Sequence, residues 1–485
     1  MTLPNHKTKI VCTIGPASAS LETLTAMIRA GMNVCRLNFA HGDFESHGRT
    51  IELIREAARA ENTRIAILAD LPGPKMRMGK FAGDQVTLNN GETVVLSSEP
   101  CDGCDSRLPI QFSELPRLVN KGDPIFLNDG FLHLTVEEVG ECDIRCCVEV
   151  GGVLMSHKGI NVPGQELGIS AFTDRDRELL DFAIGQGIDA VSISFVQRPE
   201  DIGAVRQAAS AAGGNPFIVA KIERAIAVGR IDDILRVADG IMVARGDLGV
   251  ETPIESIALV QKRLIESANR ARKPVITATQ MLESMVDNPR PTRAEATDVA
   301  NAILDGTDCV MLSEESAMGK YPLDAVRMLS RIAEATEHDR ATRAARADQP
   351  VAAQAFHRIH QGDTPEVVDV IALDVAAAVS RLATELVIAP TNSGKISRLI
   401  SHYRLPKWIV AFSPNKATCQ RLCFCYGVHP VVLDADVDGW VKAAGAWLRT
   451  HAITDGLAVV THRWHDGQHS GTNRMEIVDL QTYFS

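Results

Sequence analysis

Short apolar runs recur along this chain, and segments with the sequence pattern of a helix alternate with them. The runs are Lys9–Gly15, Asn33–Phe39, Ile65–Asp70, Ala190–Val196, Phe217–Glu223, Gly240–Leu248, Pro274–Gln280 and Cys309–Glu315. They are nearly continuous in Val, Ile, Leu and Met, which indicates strands buried on both faces, as in a parallel sheet covered by helices. Eight strand-and-helix units predict an α/β fold of the TIM (β/α)8 barrel type.

The pattern breaks once, between Asp70 and about Ser170, where alternating apolar runs and Gly, Asn and Asp turns replace the helices. These runs are Gln85–Leu88, Thr93–Leu96, Pro124–Leu127, Leu132–Val139 and Ile144–Val150. They predict an antiparallel β-barrel domain inserted after the third barrel strand. A domain on that loop lies over the mouth of the barrel, where it can act as a lid.

A third unit follows the barrel. A helix over Val367–Leu382, a strand over Glu385–Ala389, a helix over Ser397–Tyr403 and a strand over Trp408–Ser413 indicate a smaller α/β domain. The predicted division is a barrel over residues 1–70 and 158–337, a lid over 71–157 and a C-terminal domain of regulatory type over 338–485.

Charge, hydropathy and cysteine content indicate which binding partners and which cellular compartment to expect. The 485 residues carry a net charge of −11, which argues against nucleic acid or an anionic membrane as the main partner. The N-terminus lacks a signal-peptide pattern, and no segment reaches the roughly 18 apolar residues of a membrane span, so we expect a cytoplasmic protein. The 11 cysteines are scattered and odd in number, which is typical of reduced thiols.

One group of cysteines has two interpretations. Cys101 and Cys104 have the Cys-x-x-Cys spacing, and Cys142, Cys146 and Cys147 follow, so two pairs could hold a structural zinc. The alternative is a turn flanked by thiols, with free cysteines on a strand. The second pair lacks a standard zinc-knuckle spacing, which favours the alternative.

Polar residues stand where the predicted barrel strands end, and strand ends form the active site in this architecture. The strand ends carry Arg36, Asn38, Asp70, Ser194, Lys221, Glu223, Arg245, Asp247, Thr279, Gln280, Ser313, Glu314 and Glu315, with Gly246 between Arg245 and Asp247. Lys221 and Glu223 are two apart, so they point to the same side of a strand. Glu223 and Asp247 offer the hard oxygen ligands that Mg²⁺ prefers, with Lys221 beside them for a phosphate. The alternative is a set of internal ion pairs that closes the barrel top.

Long words of this sequence resemble those of the pyruvate kinase family over nearly the whole chain. They are TKIVCTIGPAS, GMNVCRLNFAHG, KGINVPG, AKIE, DGIMVARGDLGVE, KPVITATQMLESM, PRPTRAEATDVANAILDGTDCVMLS and YPLDAV. The resemblance implies a phosphotransferase of glycolysis that moves phosphate from phosphoenolpyruvate to ADP and yields pyruvate and ATP. It also implies a homotetramer with allosteric control.

The same resemblance assigns roles at the site. Glu223 and Asp247 would bind Mg²⁺ or Mn²⁺, Lys221 would offset charge on the phosphoryl group in flight, and Arg36 would clamp the same phosphate. Thr279 would assist protonation of the enolate. The residues implied to hold phosphoenolpyruvate are Arg36, Lys221, Gly246, Asp247 and Thr279, and those implied to face the nucleotide are Asn38, His41, Arg77 and Lys158.

Departures from the family pattern carry further expectations. Many members bind K⁺ through a serine and a threonine that are Ala40 and Leu71 here, and those members have Glu where this chain has Lys75. The Lys is similar to that of the K⁺-independent type, so we expect Lys75 to replace K⁺, with Asp70 as its partner. The alternative is a surface lysine on the lid hinge.

Two other departures leave function open. Glu314 adds a charge where the family commonly has Gly, which bears on rate and nucleotide preference. The loop with Thr391, Ser393, Gly394 and Lys395 could hold the phosphate of an effector or could simply cap a helix. The end of the chain departs from the usual effector loop, so the effector is not carried over.

Two rival functions remain. A metal-dependent aldolase or lyase of barrel type also places Glu and Asp on Mg²⁺ beside an enolate, but it needs neither the inserted domain nor Arg77, His41 and Lys158. A catalytically silent paralogue is opposed by the intact Lys221 and its neighbours; Glu314 is the one feature that favours it.

Overall fold

The computed structural model describes residues 3–103, 106–164, 168, 170–346, 364–433, 439–462 and 472–484. The strands are β1 (Lys9–Thr13), β2 (Met32–Asn38), β3 (Ala66–Leu71), β4 (Gln85–Leu88), β5 (Thr93–Ser97), β6 (Arg107–Pro109), β7 (Pro124–Leu127), β8 (Leu132–Val139), β9 (Asp143–Val150), β10 (Gly152–Met155), β11 (Ile160–Asn161), β12 (Ala190–Ile193), β13 (Phe217–Ile222), β14 (Gly240–Ala244), β15 (Val275–Ala278), β16 (Cys309–Leu312), β17 (Thr384–Pro390), β18 (Ile409–Ser413), β19 (Val428–Val432), β20 (Leu457–His462) and β21 (Arg474–Asp479).

The eight apolar runs form a closed parallel barrel, which confirms the predicted fold. Its strands follow the order β1-β16-β15-β14-β13-β12-β3-β2. β1, β12 and β14 are buried along their whole length, as expected for strands with a packed interior on one face and helices on the other. The polar side chains at their C-terminal ends therefore meet at one mouth.

Helices surround the barrel. They are Leu21–Arg29, Phe44–Ala60, Asp174–Gly185, Pro199–Ala211, Ala225–Gly229, Ile231–Val237, Arg245–Glu251, Ile257–Arg270, Arg293–Asp305, Glu314–Ala317 and Pro322–Arg346. Side-chain caps start several of them; Ser20 accepts a hydrogen bond from the Thr23 amide, and Thr292 forms a capping box with Glu295. Within the described residues, no helix has both the length and the apolar character that crossing a bilayer requires.

The sixth strand is shorter than predicted. The run Gly240–Leu248 was expected to be one strand, but the strand ends at Ala244 and a helix covers Arg245–Glu251. Leu248 is apolar because it is a buried residue of this helix and not because it belongs to the strand. Asp247 consequently lies in the first turn of a helix.

The inserted unit consists of two sheets and a short helix, Leu115–Leu118. Six strands follow the order β11-β7-β8-β9-β5-β6, and β10 pairs with β4. Pairing is antiparallel except between β5 and β6. β11 belongs to this sheet although it lies beyond residue 157, where we placed the end of the lid.

Both ends of the inserted unit lie side by side. Arg77 forms an antiparallel bridge with Gly159, and the Met78 amide donates to the carbonyl of Lys158 at 2.8 Å. The unit also contacts the barrel mouth at Gly130. A Cβ atom built on this glycine would lie 3.3 Å from a methyl group of Val250. That valine is on the helix that carries Asp247, so the lid packs against the mouth.

The C-terminal unit is an α/β layer, as predicted. Its sheet has the order β19-β18-β17-β20-β21 and is parallel except for β21. Its helices are Val367–Arg381, Lys395–Ser401, Lys416–Leu422, Trp440–Thr450 and Leu480–Tyr483. It closes the base of the barrel, where Phe424 stacks on Phe217 with ring centres 5.2 Å apart.

Candidate active site

Lys221 and Glu223 lie together at the barrel mouth. The Lys221 ammonium is 2.9 Å from a Glu223 carboxylate oxygen and donates to the Ser194 hydroxyl at 2.7 Å. Both side chains are buried, with 8% and 2% exposure. Burial alone lowers the pKa of Lys221, but Asp70 and Glu223 outweigh it, so the pKa is raised and the ammonium stays charged.

Asp70 connects this pair to Arg36. Both Nε and a terminal nitrogen of the Arg36 guanidinium donate to one oxygen of Asp70, with the Nε contact at 3.0 Å. Lys221 donates to the same oxygen at 3.4 Å, and Ser192 donates to the other at 2.5 Å. Burial alone raises the pKa of Asp70, but the charges of Arg36 and Lys221 lower it overall. One buried carboxylate thus orients two cations, both suited to a phosphate.

The partner of Lys75 differs from the prediction. Its ammonium lies 3.5 Å from Asp247, whereas Asp70 pairs with Arg36 and Lys221. The expected pairing of Lys75 with Asp70 is therefore wrong. The Lys75 stem passes over Gly159, where an added Cβ would lie 3.3 Å from it. A tethered cation still stands beside a carboxylate of the site.

A strained residue fixes the orientation of Glu223. Phe195 has φ +57°, which is uncommon outside glycine, and its amide donates to Glu223 at 2.7 Å. The preceding Ser194 donates its hydroxyl proton to the carbonyl of Leu71 at 2.7 Å. The segment after β12 therefore contacts the lysine, the glutamate and the start of the lid together.

Thr279 and Gly246 are in contact on the other side of the mouth. Thr279 also has a left-handed backbone, with φ +72°, and its carbonyl accepts from Arg245 at 2.7 Å. Arg245 is itself held by Asp298 at 2.6 Å. A Cβ on Gly246 would lie 2.9 Å from the Thr279 methyl, so glycine permits this close approach. The threonine hydroxyl and the first amides of the helix are thereby neighbours.

The two carboxylates fit a magnesium site. Burial raises the pKa of Glu223; Lys221 opposes that rise and the negative charge of Asp247 adds to it. A divalent cation between the carboxylates would relieve the repulsion. Within the described ranges, no group of three or more His, Cys, Asp or Glu side chains could hold a metal. Mg²⁺ commonly takes one or two carboxylates and completes its shell with water and substrate oxygens, so this donor set suits it.

The residues expected to face a nucleotide lie at the end of β2, in the loop after it and at the two ends of the inserted unit. Asn38 lies directly opposite Asp70 in the pairing of β2 with β3, and its side-chain oxygen accepts from the Ala40 amide at 3.1 Å. His41 is exposed on the loop that follows. Arg77 and Lys158 lie at the joined ends of the lid. A shared nucleotide site for these four residues stays a prediction.

Glu314 belongs to an acidic group beside the site. Its side chain is exposed, whereas Glu315 is buried and accepts from the amides of Leu282 and Ser313 at 3.0 and 2.7 Å. Burial, followed by the charges of Glu315, Glu314 and a third glutamate, raises the pKa of Glu283 to about 7. The negative charge of Glu314 therefore helps to raise the pKa of the half-buried Glu283.

The predicted effector loop lies in the C-terminal unit, separate from this mouth. Thr391 accepts from the Gly394 amide at 2.9 Å, and Lys395 pairs with Glu366 at 2.7 Å. The first is a turn before the helix Lys395–Ser401, whose N-cap residue Gly394 has no side-chain capping bond, and the second is a surface ion pair. The zinc hypothesis depends on Cys104, which lies outside the described residues.

Several residues of the site were not assigned a role from sequence. They are Thr13, whose hydroxyl accepts from Arg36 at 2.9 Å, and Ser192, Ser194, Arg224 and Glu251. Ser192 lies in the buried strand β12 and Ser194 follows directly after it, and two hydroxyls spaced by two residues in an otherwise apolar run are the signal that could have identified them.

Comparison with known proteins gives consistent matches. The family model "Pyruvate kinase, barrel domain" matches residues 5–326, and "Pyruvate kinase, alpha/beta domain" matches residues 369–478. The pyruvate kinase of Thermococcus litoralis is 46% identical over 490 residues, spanning 99% of this chain and 100% of that protein. That of Geobacillus stearothermophilus is 42% identical over 482 residues, spanning 97% and 80%. A crystal structure of a pyruvate kinase from Cryptosporidium parvum superposes with a TM-score of 0.90 at 37% identity and covers 98% of this chain and 96% of that one.

Proposed function

The chain belongs to the pyruvate kinase family, and we propose from this that it transfers phosphate from phosphoenolpyruvate to ADP in a Mg²⁺-dependent step of glycolysis. Membership makes it a kinase of the transferase class. The observation that carries the proposal is the buried Lys221, held between Asp70 and Glu223 with Arg36 on the same carboxylate. Two oriented cations beside a metal-binding pair suit a phosphoryl group in transfer.

Charge neutralisation is the main task of such a site. Phosphoryl transfer involves a loose transition state, so positioning and electrostatic stabilisation supply most of the rate. Arg36 clamps the phosphoryl oxygens, and Lys221 stabilises the charge that spreads over them. Mg²⁺ held by Glu223 and Asp247 would neutralise phosphate and carboxylate oxygens of the substrate.

The carbon end of the substrate lies toward Thr279. The amides of Gly246 and Asp247 bind its carboxylate, and the Thr279 hydroxyl assists proton delivery to the enolate that phosphate departure leaves. Arg245 holds the Thr279 backbone from behind, which keeps the hydroxyl in place. Closure of the lid brings Arg77 and Lys158 toward the nucleotide.

A built-in cation replaces K⁺ in this proposal. Lys75 places its ammonium 3.5 Å from Asp247, where positive charge offsets one metal-binding carboxylate and the adjacent phosphate. The neighbouring Ala40 and Leu71 lack side-chain oxygens with which to bind a free cation.

One coupled assay tests the function. Pyruvate is followed with lactate dehydrogenase and NADH after phosphoenolpyruvate is added with or without ADP and with or without Mg²⁺. We expect pyruvate only when both are present, with ATP formed in equal amount. Pyruvate without ADP would indicate phosphatase or lyase chemistry, and none under any condition would indicate a silent paralogue. Sedimentation velocity checks the implied homotetramer.

A further inference from the structure

We propose that the buried ion pair between Arg224 and Glu251 is a positioning pair that sets the separation of the two metal-binding carboxylates, Glu223 and Asp247. The inference rests on the proposed function, since it concerns the metal affinity of the same site. Neither residue is expected to touch substrate or metal.

The positions of the pair along the chain come first. Arg224 directly follows Glu223 at the end of β13. Glu251 is the last residue of the helix Arg245–Glu251, four residues and about one turn after Asp247. Each member is thus joined to one metal-binding carboxylate by a short, stiff piece of backbone. A contact between the two members therefore constrains the distance between the carboxylates.

That contact is close and dry. The Nε atom of Arg224 lies 3.1 Å from a carboxylate oxygen of Glu251, and the two residues are only 2% and 6% exposed. The other oxygen of Glu251 accepts from the Ala225 amide at 3.4 Å. The Arg224 guanidinium and the Ala225 amide, both just after Glu223 in the chain, converge on one carboxylate of the helix Arg245–Glu251. Separating Arg224 from Glu251 would leave a buried charge without its ion-pair partner, which is energetically costly. The pair therefore opposes movement of the two segments relative to each other.

A third element joins the same guanidinium. A terminal nitrogen of Arg224 donates to the carbonyl of Val162 at 3.2 Å, where the chain returns from the lid to the barrel. The planar guanidinium presents separate nitrogen atoms to Glu251 and to Val162, whereas a lysine would have to make both contacts from one ammonium nitrogen. The pair therefore holds the loop after β13, the helix with Asp247 and the base of the lid in one arrangement.

Metal binding without substrate provides the test. Mn²⁺ alone is titrated into the full-length protein, and free Mn²⁺ is measured by electron paramagnetic resonance. The double variant Arg224→Met/Glu251→Leu removes one charge of each sign, so the net charge near the site is unchanged. Apolar replacement of a buried pair usually preserves folding. We expect Mn²⁺ affinity to fall about tenfold, the size of effect seen when groups behind metal ligands are removed.

Two further variants make the result specific. Arg224→Lys keeps the charge but loses the fork, so it should also weaken Mn²⁺ binding, by about threefold or more on the same reasoning. Arg272→Met/Asp369→Asn removes another ion pair, 3.2 Å long, between a partly exposed arginine and a buried aspartate outside the site, and should leave Mn²⁺ affinity unchanged.

The results distinguish failure of the proposed function from failure of the positioning role of Arg224 and Glu251. If the unmodified protein bound no Mn²⁺ and made no pyruvate, the proposed function would fail. If it bound Mn²⁺ and both Arg224 variants bound it within twofold of the same affinity, the positioning role would be overturned. Should the double variant fail to fold, Arg224→Lys alone decides between these results.

Discussion

The ammonium nitrogen of Lys221 lies 2.7 Å from the hydroxyl oxygen of Ser194. The same hydroxyl donates its proton to the carbonyl of Leu71, the last residue of β3, at 2.7 Å. Ser194 thus orients the lysine from a point anchored at the start of the lid. In the proposed mechanism this lysine must face the phosphoryl group, so the serine governs its alignment.

Replacing this serine should affect turnover more than binding. Ser194→Ala removes the acceptor for Lys221, and we expect kcat to fall about tenfold while KM for phosphoenolpyruvate changes less than about threefold. Steady-state kinetics measure both. Ser194→Cys keeps the volume but bonds poorly, whereas Ser194→Thr keeps the hydroxyl. If Cys restored the rate and Thr did not, packing and not the hydrogen bond would be the role of Ser194.

Lys221 itself should be nearly indispensable. Lys221→Met removes the cation held by Asp70 and Glu223, and we expect kcat to fall about a thousandfold, as for other groups that stabilise transition-state charge. The coupled pyruvate assay measures the loss. Lys320→Met, which removes a surface lysine paired with Asp287, is the control and should keep the wild-type rate. A loss of less than about tenfold at Lys221 would contradict its assigned role.

The enzyme should work without added K⁺. In buffer free of K⁺ and NH₄⁺, with tetramethylammonium as the counter-ion, addition of K⁺ should leave the rate essentially unchanged. The reason is that Lys75 already places a positive charge 3.5 Å from Asp247. Lys75→Met should lower kcat/KM by about tenfold, because it removes this local charge. A strong rise of the wild-type rate on adding K⁺ would show that Lys75 does not replace it.

Glu283 should make stability depend on pH near neutrality. Its pKa is raised from 4.5 to about 7 by burial and by Glu315, Glu314 and Glu295. A carboxyl with a higher pKa in the folded protein opposes folding once it ionises, so stability falls as pH rises from about 4.5 to 7 and then levels off. Solvent screening at this half-exposed position limits the loss to about 1 kcal/mol.

Glu283→Gln should remove this dependence. Between pH 5 and pH 8 its unfolding temperature should rise by roughly 2 °C relative to wild type, measured by calorimetry at both pH values. Glu314→Gln should produce a smaller change of the same sign, because it removes one of the repelling charges. A temperature difference that does not vary with pH would rule out the shifted pKa as its cause.

The barrel was predictable because its strands carry an unambiguous burial pattern, but the ends of strands were not. The apolar run Gly240–Leu248 continues past the end of β14 at Ala244. Leu248 is apolar because it is a buried residue of the helix that follows the strand. Hydrophobicity reports that a residue is buried and does not report which element buries it.

The meeting of polar strand-end residues at one barrel mouth was predictable, whereas their pairing was not. Asp70 was assigned to Lys75, but strand order places Asp70 between the strands of Arg36 and Lys221 and nearer to both. Which cationic side chain contacts which carboxylate depends on the stagger of the barrel strands and on side-chain rotamers. Neither can be inferred from the spacing of residues along the sequence. Ser194 stood at a predicted strand end, yet a serine hydroxyl at that place does not indicate a role until its hydrogen-bond partners are known.

The side-by-side ends of the inserted unit make it a removable module. Arg77 and Gly159 face each other across an antiparallel bridge, so their Cα atoms are only about 5 Å apart. A short glycine linker could replace everything between them without straining the barrel. Such a shortened chain would retain the barrel and its mouth but lose the inserted unit, so the fold of the barrel would not depend on the part that, in the proposed function, shields the reaction from water.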